Sequence, residues 1–398
     1  MPCFARWVLL IGGAMSLSCS APTLEQRRSV AFPAMTALRD GSFDQADKRA
    51  REQIDADGAN PYARLVRAIV RYKKSMHQLS LDVRTVVIGA GGFNHKYLRA
   101  TLEEGEASLA EVESDLAAAS VDPTLAVELC VACWEIDWNG NGRIDRGDRL
   151  LFQIEEDAEG KPLPDGDPRR KPTFRFDVGD VAWARAFVSF QRAALDVALA
   201  YDVSDVDGIL AGDKRRTLVL RLAHADRIAD AKQRILEALD RSDEARRAYL
   251  AETDDDREWV PNPRQLSHPI PLAVDQGLYD TWEGVLGDLR RLVRGEEGLL
   301  VADLLALGDQ RVERTPKGYL DIGGMLAHPH DITLSARDLE RLDRRGDIGA
   351  MMSALFGDHY VATMKPSPLP RRLLRMKGEI DRREEGLERK LRYLFWLN

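Results

Sequence analysis

The chain has 398 residues, with 57 Lys and Arg against 65 Asp and Glu, which gives a formal net charge of −8. This balance lacks the uniformly basic footprint of a nucleic-acid-binding protein, so we expect neither DNA nor RNA as a partner. Beyond the first residues, no apolar run reaches the roughly 20 residues that a membrane-spanning helix needs. Composition otherwise indicates only a globular protein with enough length for two or three domains.

The N-terminal segment, residues 1–18, has the layout of a signal peptide. Arg6 precedes an apolar stretch from Trp7 to Leu17, and small residues follow it. The apolar part is too short to span a bilayer, so we expect removal of the segment and export from the cytoplasm.

The residues Ser16-Leu17-Ser18-Cys19 resemble a bacterial lipoprotein processing site. In that family the cysteine after the cut receives a lipid, which here implies a lipid on Cys19. The family usually places its aliphatic residue three positions before the cysteine, whereas Leu17 stands two before it. We expect a periplasmic protein or an outer-membrane lipoprotein, with ordinary cleavage and secretion as the alternative.

Helical periodicity dominates the rest of the chain, which predicts a mainly α fold of helical hairpins or a bundle, with few short strands. One short alternating segment, Thr173 to Asp177, predicts an extended piece. The predicted helices, in chain order, are Phe43–Ala56, a helix from Pro61 onward, His95–Ala119, Pro123–Ile136, Val181–Tyr201, Lys214–Ala251, Leu272–Arg294, a helix from Ala336 and a C-terminal docking helix within 370–398.

Two polar, proline-rich stretches suggest boundaries between domains. The first is 158–171, and the second runs from the aspartates at 254–256 to Pro271. We therefore predict three helical domains, at residues 19–157, 172–252 and 264–398.

The stretch from Gly41 to Ala46, with Pro61 and Ala63, resembles one tetratricopeptide unit. Such units need about three copies to bury a continuous core, and no second clear copy is present. An ordinary helical hairpin is the alternative.

A twelve-residue stretch, Asp137 to Asp148, has the composition of a calcium loop. Hard Ca²⁺ takes six to eight oxygen ligands, which such a loop supplies from positions one, three, five, seven, nine and twelve. Gly142 stands at position six, where the chain must turn sharply. The predicted metal ligands are Asp137, Asn139, Asn141, Arg143 through its backbone carbonyl, Asp145 and Asp148.

This pattern resembles the EF-hand, in which a helix enters the loop and a second helix leaves it. The resemblance implies that Pro123–Ile136 enters the loop and that a short helix with Leu150, Leu151 and Ile154 leaves it. The family usually ends its loop in Glu; Asp148 is one methylene shorter and resembles dockerin loops. Three carboxylates predict a weak site, with a dissociation constant of roughly 10⁻⁵ to 10⁻³ M. The alternative is a turn that Asx hydrogen bonds stabilise without metal.

Three weaker patterns have simpler explanations. Cys130 and Cys133 form a CxxC that we expect to be two buried thiols on a helix, without zinc or redox chemistry. Gly89 to Gly92 predicts a hinge, since the phosphate-binding fingerprint is incomplete. His328 to Asp331 predicts a polar loop, with a zinc site as the alternative.

The leading functional hypothesis is an exported, non-catalytic envelope protein in which a structural calcium ion braces a helix junction. One alternative is a tetratricopeptide-like scaffold that binds another envelope protein. The other is a hydrolase whose site the sequence does not reveal.

Overall fold

The computed structural model describes residues 21–88, 94–138, 140–145, 148, 153–157, 160–210, 217–253, 257–265, 268, 274–307, 316–335 and 348–383. Within these ranges the fold is mainly α, which confirms the predicted fold class. The helices are α1 Leu24–Arg39, α2 Phe43–Ala56, α3 Pro61–Ile88, α4 His95–Ala119, α5 Val178–Ala200, α6 Asp205–Leu210, α7 Ala225–Ala251, α8 Gln276–Val293, α9 Val301–Leu307, α10 Ile322–Ala327, α11 Ile348–Phe356 and α12 Leu369–Arg383. In this part of the chain no helix combines the length and the hydropathy that crossing a membrane requires.

Short strands join the helices in small antiparallel sheets. They are β1 Ala126–Leu129, β2 Phe174–Asp177, β3 Tyr201–Asp202, β4 Leu218–Leu222, β5 Leu299–Leu300, β6 Tyr319–Leu320, β7 Ile332–Leu334 and β8 Tyr360–Val361. β1 pairs with β2, β4 lies between β3 and β7, and β6 lies between β5 and β8. The extended piece predicted at Thr173 to Asp177 corresponds to β2.

Side-chain caps explain where several helices begin. The Asn94 carboxamide oxygen accepts the backbone N–H groups of Lys96 and Tyr97, both at 3.1 Å, and so starts α4. Asp177 caps α5 through the N–H of Gly179 at 2.7 Å. Each cap satisfies donors that the first helical turn leaves without partners.

The largest hydrophobic core lies among α1, α3, α4, α5 and the β1–β2 pair. Trp259, from the segment after α7, closes this core against Phe174 and Phe176, with ring-centroid distances of 4.7 and 6.3 Å. The core therefore combines residues from both sides of the 158–171 stretch, while the predicted three-domain division stays a prediction.

Partly buried ion pairs connect α4, α5 and α7. Arg192 on α5 contacts Glu106 at 2.6 Å and also pairs with Glu113, both on α4. Asp196 on α5, 2 % exposed, accepts from Arg227 at 3.0 Å and Arg234 at 2.8 Å on α7. These contacts compensate the desolvation of Asp196, which would be costly if that charge lacked partners.

The helix predicted from Pro123 to Ile136 is wrong. β1 occupies its middle, and a 3₁₀ turn follows at Val131–Cys133. Val127 and Leu129 face the core opposite two phenylalanines of β2, so tertiary pairing decides the conformation of this segment against its helical spacing.

The prediction of two free thiols is also wrong, because Cys130 and Cys133 form a disulfide. Their Cα atoms lie 5.2 Å apart, within the usual range for such a bond. The prediction assumed helical geometry, whereas Cys130 has φ −114° and ψ 81°.

The long helical segment predicted from Lys214 to Ala251 is correct only from Ala225 onward. Leu218–Leu222 forms β4 instead, since it pairs with β3 and β7 on its two sides. The predicted hinge at Gly89 to Gly92 and the helix start at Ala336 lie outside the described residues.

Candidate metal centres

Hydrogen bonds to the Asp137 carboxylate shape the first half of the Asp137–Asp148 loop. Oδ1 accepts the backbone N–H of Asn141 at 3.1 Å, and Oδ2 accepts that of Gly142 at 2.6 Å. Gly140 and Gly142 have φ values of +66° and +81°, a region that side chains disfavour. The chain thus turns sharply at the predicted sixth position.

Asp145 and Asp148 close the second half of the loop. The Asp148 carboxylate is buried and accepts the N–H of Trp138 at 2.9 Å and that of Asp145 at 3.0 Å. Asp145 in turn accepts from the Asn141 carboxamide at 2.9 Å. Four predicted ligands, Asp137, Asn141, Asp145 and Asp148, therefore belong to one hydrogen-bonded unit.

The structure gives less information on the other two predicted ligands, Arg143 and Asn139. The Arg143 side chain is exposed, as its predicted role through the backbone carbonyl requires. Asn139 lies outside the described residues, as do Leu150 and Leu151 of the predicted leaving helix. Ile154 is buried in an irregular segment, where its N–H donates to the carbonyl of Arg170 at 3.1 Å.

Helix α3 supports the loop in place of the predicted entering helix. The Nε2 atom of His77 lies 2.7 Å from the Asp137 carbonyl oxygen, and the His77 ring meets the Trp138 ring edge-on at 5.7 Å. A Cβ placed on Gly140 would lie 2.7 Å from Leu81, so the backbone approaches α3 closely. The loop is therefore fixed by a helix distant in sequence.

A second group of carboxylates, here named the acidic cluster, consists of Asp177, Glu252 and Glu258. One oxygen from each lies within 4.8 Å of the others, and among the described residues this is the group whose spacing suits a metal ion. Asp177 precedes α5, Glu252 follows α7, and Glu258 belongs to the next segment. Oxygen donors of this kind suit hard divalent cations.

Two further buried groups border the acidic cluster. Asp180, fully buried on α5, accepts the Tyr249 hydroxyl at 2.8 Å. Burial, followed by the nearby Asp177 charge, raises the pKa of Asp180 well above its usual range. Burial likewise raises the pKa of Tyr249, so a proton stays in this pair.

Burial and nearby like charges also shift the pKa of Glu252. Burial, then the charges of Asp177 and Glu258, raises the pKa of Glu252 to about 9. Arg175 forms an ion pair with Glu258, with an N–O distance of 3.6 Å. The arrangement can hold protons or a cation, since either reduces the repulsion among the carboxylates.

Sequence reasoning missed the acidic cluster. Its members come from three separate segments, and none stands at a recognisable spacing from another. Asp177 was considered only as the end of an extended piece. No local pattern could reveal the cluster, because the packing of α5 against α7 creates it.

The hydrogen bonds of the His328 to Asp331 segment do not support the alternative of a zinc site there. Asp331 accepts the N–H of Leu222 at 2.8 Å, and the His328 carbonyl oxygen lies 2.9 Å from Nε2 of His359. These bonds are typical of a structured polar loop.

A small apolar cavity of about 60 Å³ lies in the main core beside Lys73. Lys73 Nζ lies 5.6 Å from the Trp134 ring centroid, and burial lowers the pKa of Lys73 to about 8. The cavity is far smaller than the roughly 300 Å³ of ordinary ligand sites, so it offers no support for the hydrolase alternative.

Comparison with known proteins gives no relative: no family model, no curated protein and no solved structure matches the chain.

Proposed function

We propose that the chain is an exported, non-catalytic calcium-binding protein of the bacterial envelope, whose ion is held by the Asp137–Asp148 loop and has a structural role. The observation that carries this proposal is the pair of hydrogen bonds that the Asp137 carboxylate accepts from the backbone N–H groups of Asn141 and Gly142. These bonds curve the chain sharply around the Asp137 side chain, as a calcium loop requires. We propose export and a lipid on Cys19 on the basis of the N-terminal sequence alone.

The ion would reduce the repulsion among Asp137, Asp145 and Asp148. Because the loop is bonded to α3 through His77, calcium would stabilise the packing of the loop on that helix. A weak site at millimolar external calcium would stay mostly occupied and would stabilise the fold by RT ln(1 + [Ca²⁺]/Kd). At ten times Kd this amounts to about 1.4 kcal/mol.

Calorimetric titration of the mature protein with calcium tests the proposal. We expect one site with a dissociation constant of roughly 10⁻⁵ to 10⁻³ M, and its loss in Asp137→Ala. Absence of both binding heat and a thermal shift at millimolar calcium would refute it.

The acidic cluster supplies the necessary control. Glu252→Gln leaves the Asp137–Asp148 loop intact, so it should retain the calcium heat that Asp137→Ala removes. The reverse result would place the ion at the acidic cluster and would contradict the proposal. Mass spectrometry of the mature N-terminus tests the lipid separately, and an unmodified Cys19 would refute lipidation.

The scaffold alternative has one structural feature in its favour, the α2–α3 hairpin at the position of the tetratricopeptide resemblance. It predicts capture of one stable envelope partner that a calcium chelator does not release.

A further inference from the structure

A groove of about 410 Å³ lies between α1 and the outer edge of β1, and we name it the α1–β1 groove. Its apolar lining comes from Phe32 and Met35 on α1 and Val127 on β1. Phe32 is 61 % exposed, and two other large apolar side chains of α1, Leu24 and Val30, are also exposed. The groove has the size of an ordinary binding site.

The strand that borders the groove has an open edge. The Arg175 N–H donates to the Arg257 carbonyl at 3.2 Å, on the side of β2 away from β1. Glu128 stands opposite Arg175 in the antiparallel ladder, so this is a non-hydrogen-bonded pair. The N–H and C=O groups of Glu128 therefore point away from β2, toward the α1–β1 groove.

No strand among the described residues pairs with that edge, because the sheet order is β1–β2 alone. Unpaired edge groups are ready to form main-chain hydrogen bonds with another extended segment. An added strand of this kind gains affinity from the backbone and specificity from alternate side chains.

The charge around the groove is reversed relative to the chain as a whole. Four arginines, Arg28, Arg39, Arg175 and Arg257, line it together with one carboxylate, Glu128. Arg39 also pairs with Asp40, and Arg175 pairs with Glu258, just outside the lining, so the arginines still outnumber the carboxylates by one. The whole chain carries a formal charge of −8. A carboxylate can accept two parallel N–H bonds from one guanidinium group. A local excess of arginine therefore favours ligands that are rich in carboxylates.

One arginine of the groove is held in an unusual conformation. Arg257 has φ +51°, and its guanidinium extends past β2 to donate to the Glu128 carboxylate at 2.5 Å. Non-glycine residues seldom adopt this region. The contact with Glu128 thus keeps this guanidinium in the lining of the groove.

We propose that the α1–β1 groove binds an extended acidic peptide of a partner protein, which pairs with the open edge of β1 and places its carboxylates against the arginines. The first 20 residues of this chain are a poor occupant, because they contain no Asp or Glu. A nucleic-acid strand would satisfy the charges, but it has no backbone that can extend a β-sheet. This inference is independent of calcium binding.

Fluorescence polarisation with a fluorescein-labelled peptide of alternating Glu and Val residues tests whether the arginines of the groove bind an acidic peptide. Binding should saturate, and the double variant Arg28→Glu/Arg39→Glu should weaken it at least about tenfold. Arg247→Glu, on the exposed surface of α7, is the matched control and should leave it unchanged. A peptide of alternating Lys and Val should not bind.

Backbone pairing is tested with two N-methylated versions of the same peptide. Methylation of alternate residues in one register removes the N–H groups that face β1, whereas the other register leaves them free. One version should lose binding and the other should keep it; equal binding by both would overturn the proposal. Complete displacement by a twelve-nucleotide oligo-dT, with no effect of N-methylation, would instead assign the groove to nucleic acid.

Thermal unfolding of each variant controls for loss of structure. Arg28 and Phe32 are exposed, so Arg28→Glu and Phe32→Ala should fold normally. Phe32→Ala should reduce peptide affinity without changing the melting temperature by more than about 2 °C. Unchanged affinity in both variants would contradict the proposal.

Discussion

The imidazole of His77, in the middle of α3, is within 2.7 Å of the carbonyl oxygen of Asp137, the first residue of the loop. The two residues are far apart in sequence, yet this contact joins the predicted calcium loop to the longest helix of the described chain. It also gives the loop a rigid support that the predicted entering helix does not provide.

His77→Ala should destabilise the protein by about 1 kcal/mol, because it removes a hydrogen bond and the edge-on contact with Trp138. Calcium affinity should fall several-fold, since the loop would have to be ordered by the ion itself. Urea unfolding with and without calcium measures both effects. His224→Ala is the control, because His224 is exposed and makes no side-chain cap bond. Equal behaviour of the two variants would show that α3 does not support the loop.

Gly142→Ala should lower calcium affinity through the backbone. Its φ of +81° costs an alanine about 1 kcal/mol, although a Cβ at this position meets nothing within 4 Å. Gly160→Ala is closely matched, with φ +77° and equally open space, but lies outside the loop. Both variants should lose similar stability in chelator, and only Gly142→Ala should lose the thermal shift on adding calcium.

Stability should decrease as pH rises through the window from about 4.5 to about 9. Glu252 ordinarily titrates near 4.5 but has a pKa of about 9 in the folded chain. The folded state therefore keeps a proton that the unfolded state releases, and the contribution present below pH 4.5 is lost toward pH 9. One such proton gives a slope of at most about 1.4 kcal/mol per pH unit.

Urea titrations across this range in chelator measure the slope. Glu252→Gln should flatten it and should be more stable than the parent chain near pH 9. Glu244→Gln, on an exposed face of α7, should leave the slope as it is. A parent chain whose stability rises through this window would exclude a protonated acidic cluster.

Asp288 should prove essential for holding the C-terminal helix. This carboxylate is fully buried on α8 and pairs with Arg372 of α12 at 2.9 Å and with Arg291. Arg372→Ala should cost about 3 kcal/mol, because it removes a partner of a buried charge. Arg371→Ala, whose side chain is 73 % exposed, should cost less than about 0.5 kcal/mol. Limited proteolysis should cut α12 first in Arg372→Ala and not in Arg371→Ala.

Helix positions were largely predictable from periodicity, and α2 and α4 have the predicted bounds. The prediction failed where a segment pairs with a strand distant in sequence, as at β1 and β4. Val127 and Leu129 repeat at a spacing that a helix tolerates, but β2 offers them buried neighbours that no helix would reach. Periodicity carries no information about such partners.

The candidate sites also differ in whether the sequence could predict them. The Asp137–Asp148 loop is contiguous, so its ligands and its glycine turn can be recognised from one short stretch. The acidic cluster and the α1–β1 groove assemble side chains from segments that meet only after folding. The contact between His77 and Asp137 belongs to this second kind, and it changes which helix supports the loop.

The position of Trp259 has a consequence for the order of events during synthesis. Its ring lies 4.7 Å from that of Phe174 and belongs to a core that begins at Ala31. Two thirds of the chain must therefore leave the ribosome before this core can close. Until then Phe174 and Phe176 lack the Trp259 ring that covers them, and a truncation before Trp259 would leave this apolar surface open to aggregation.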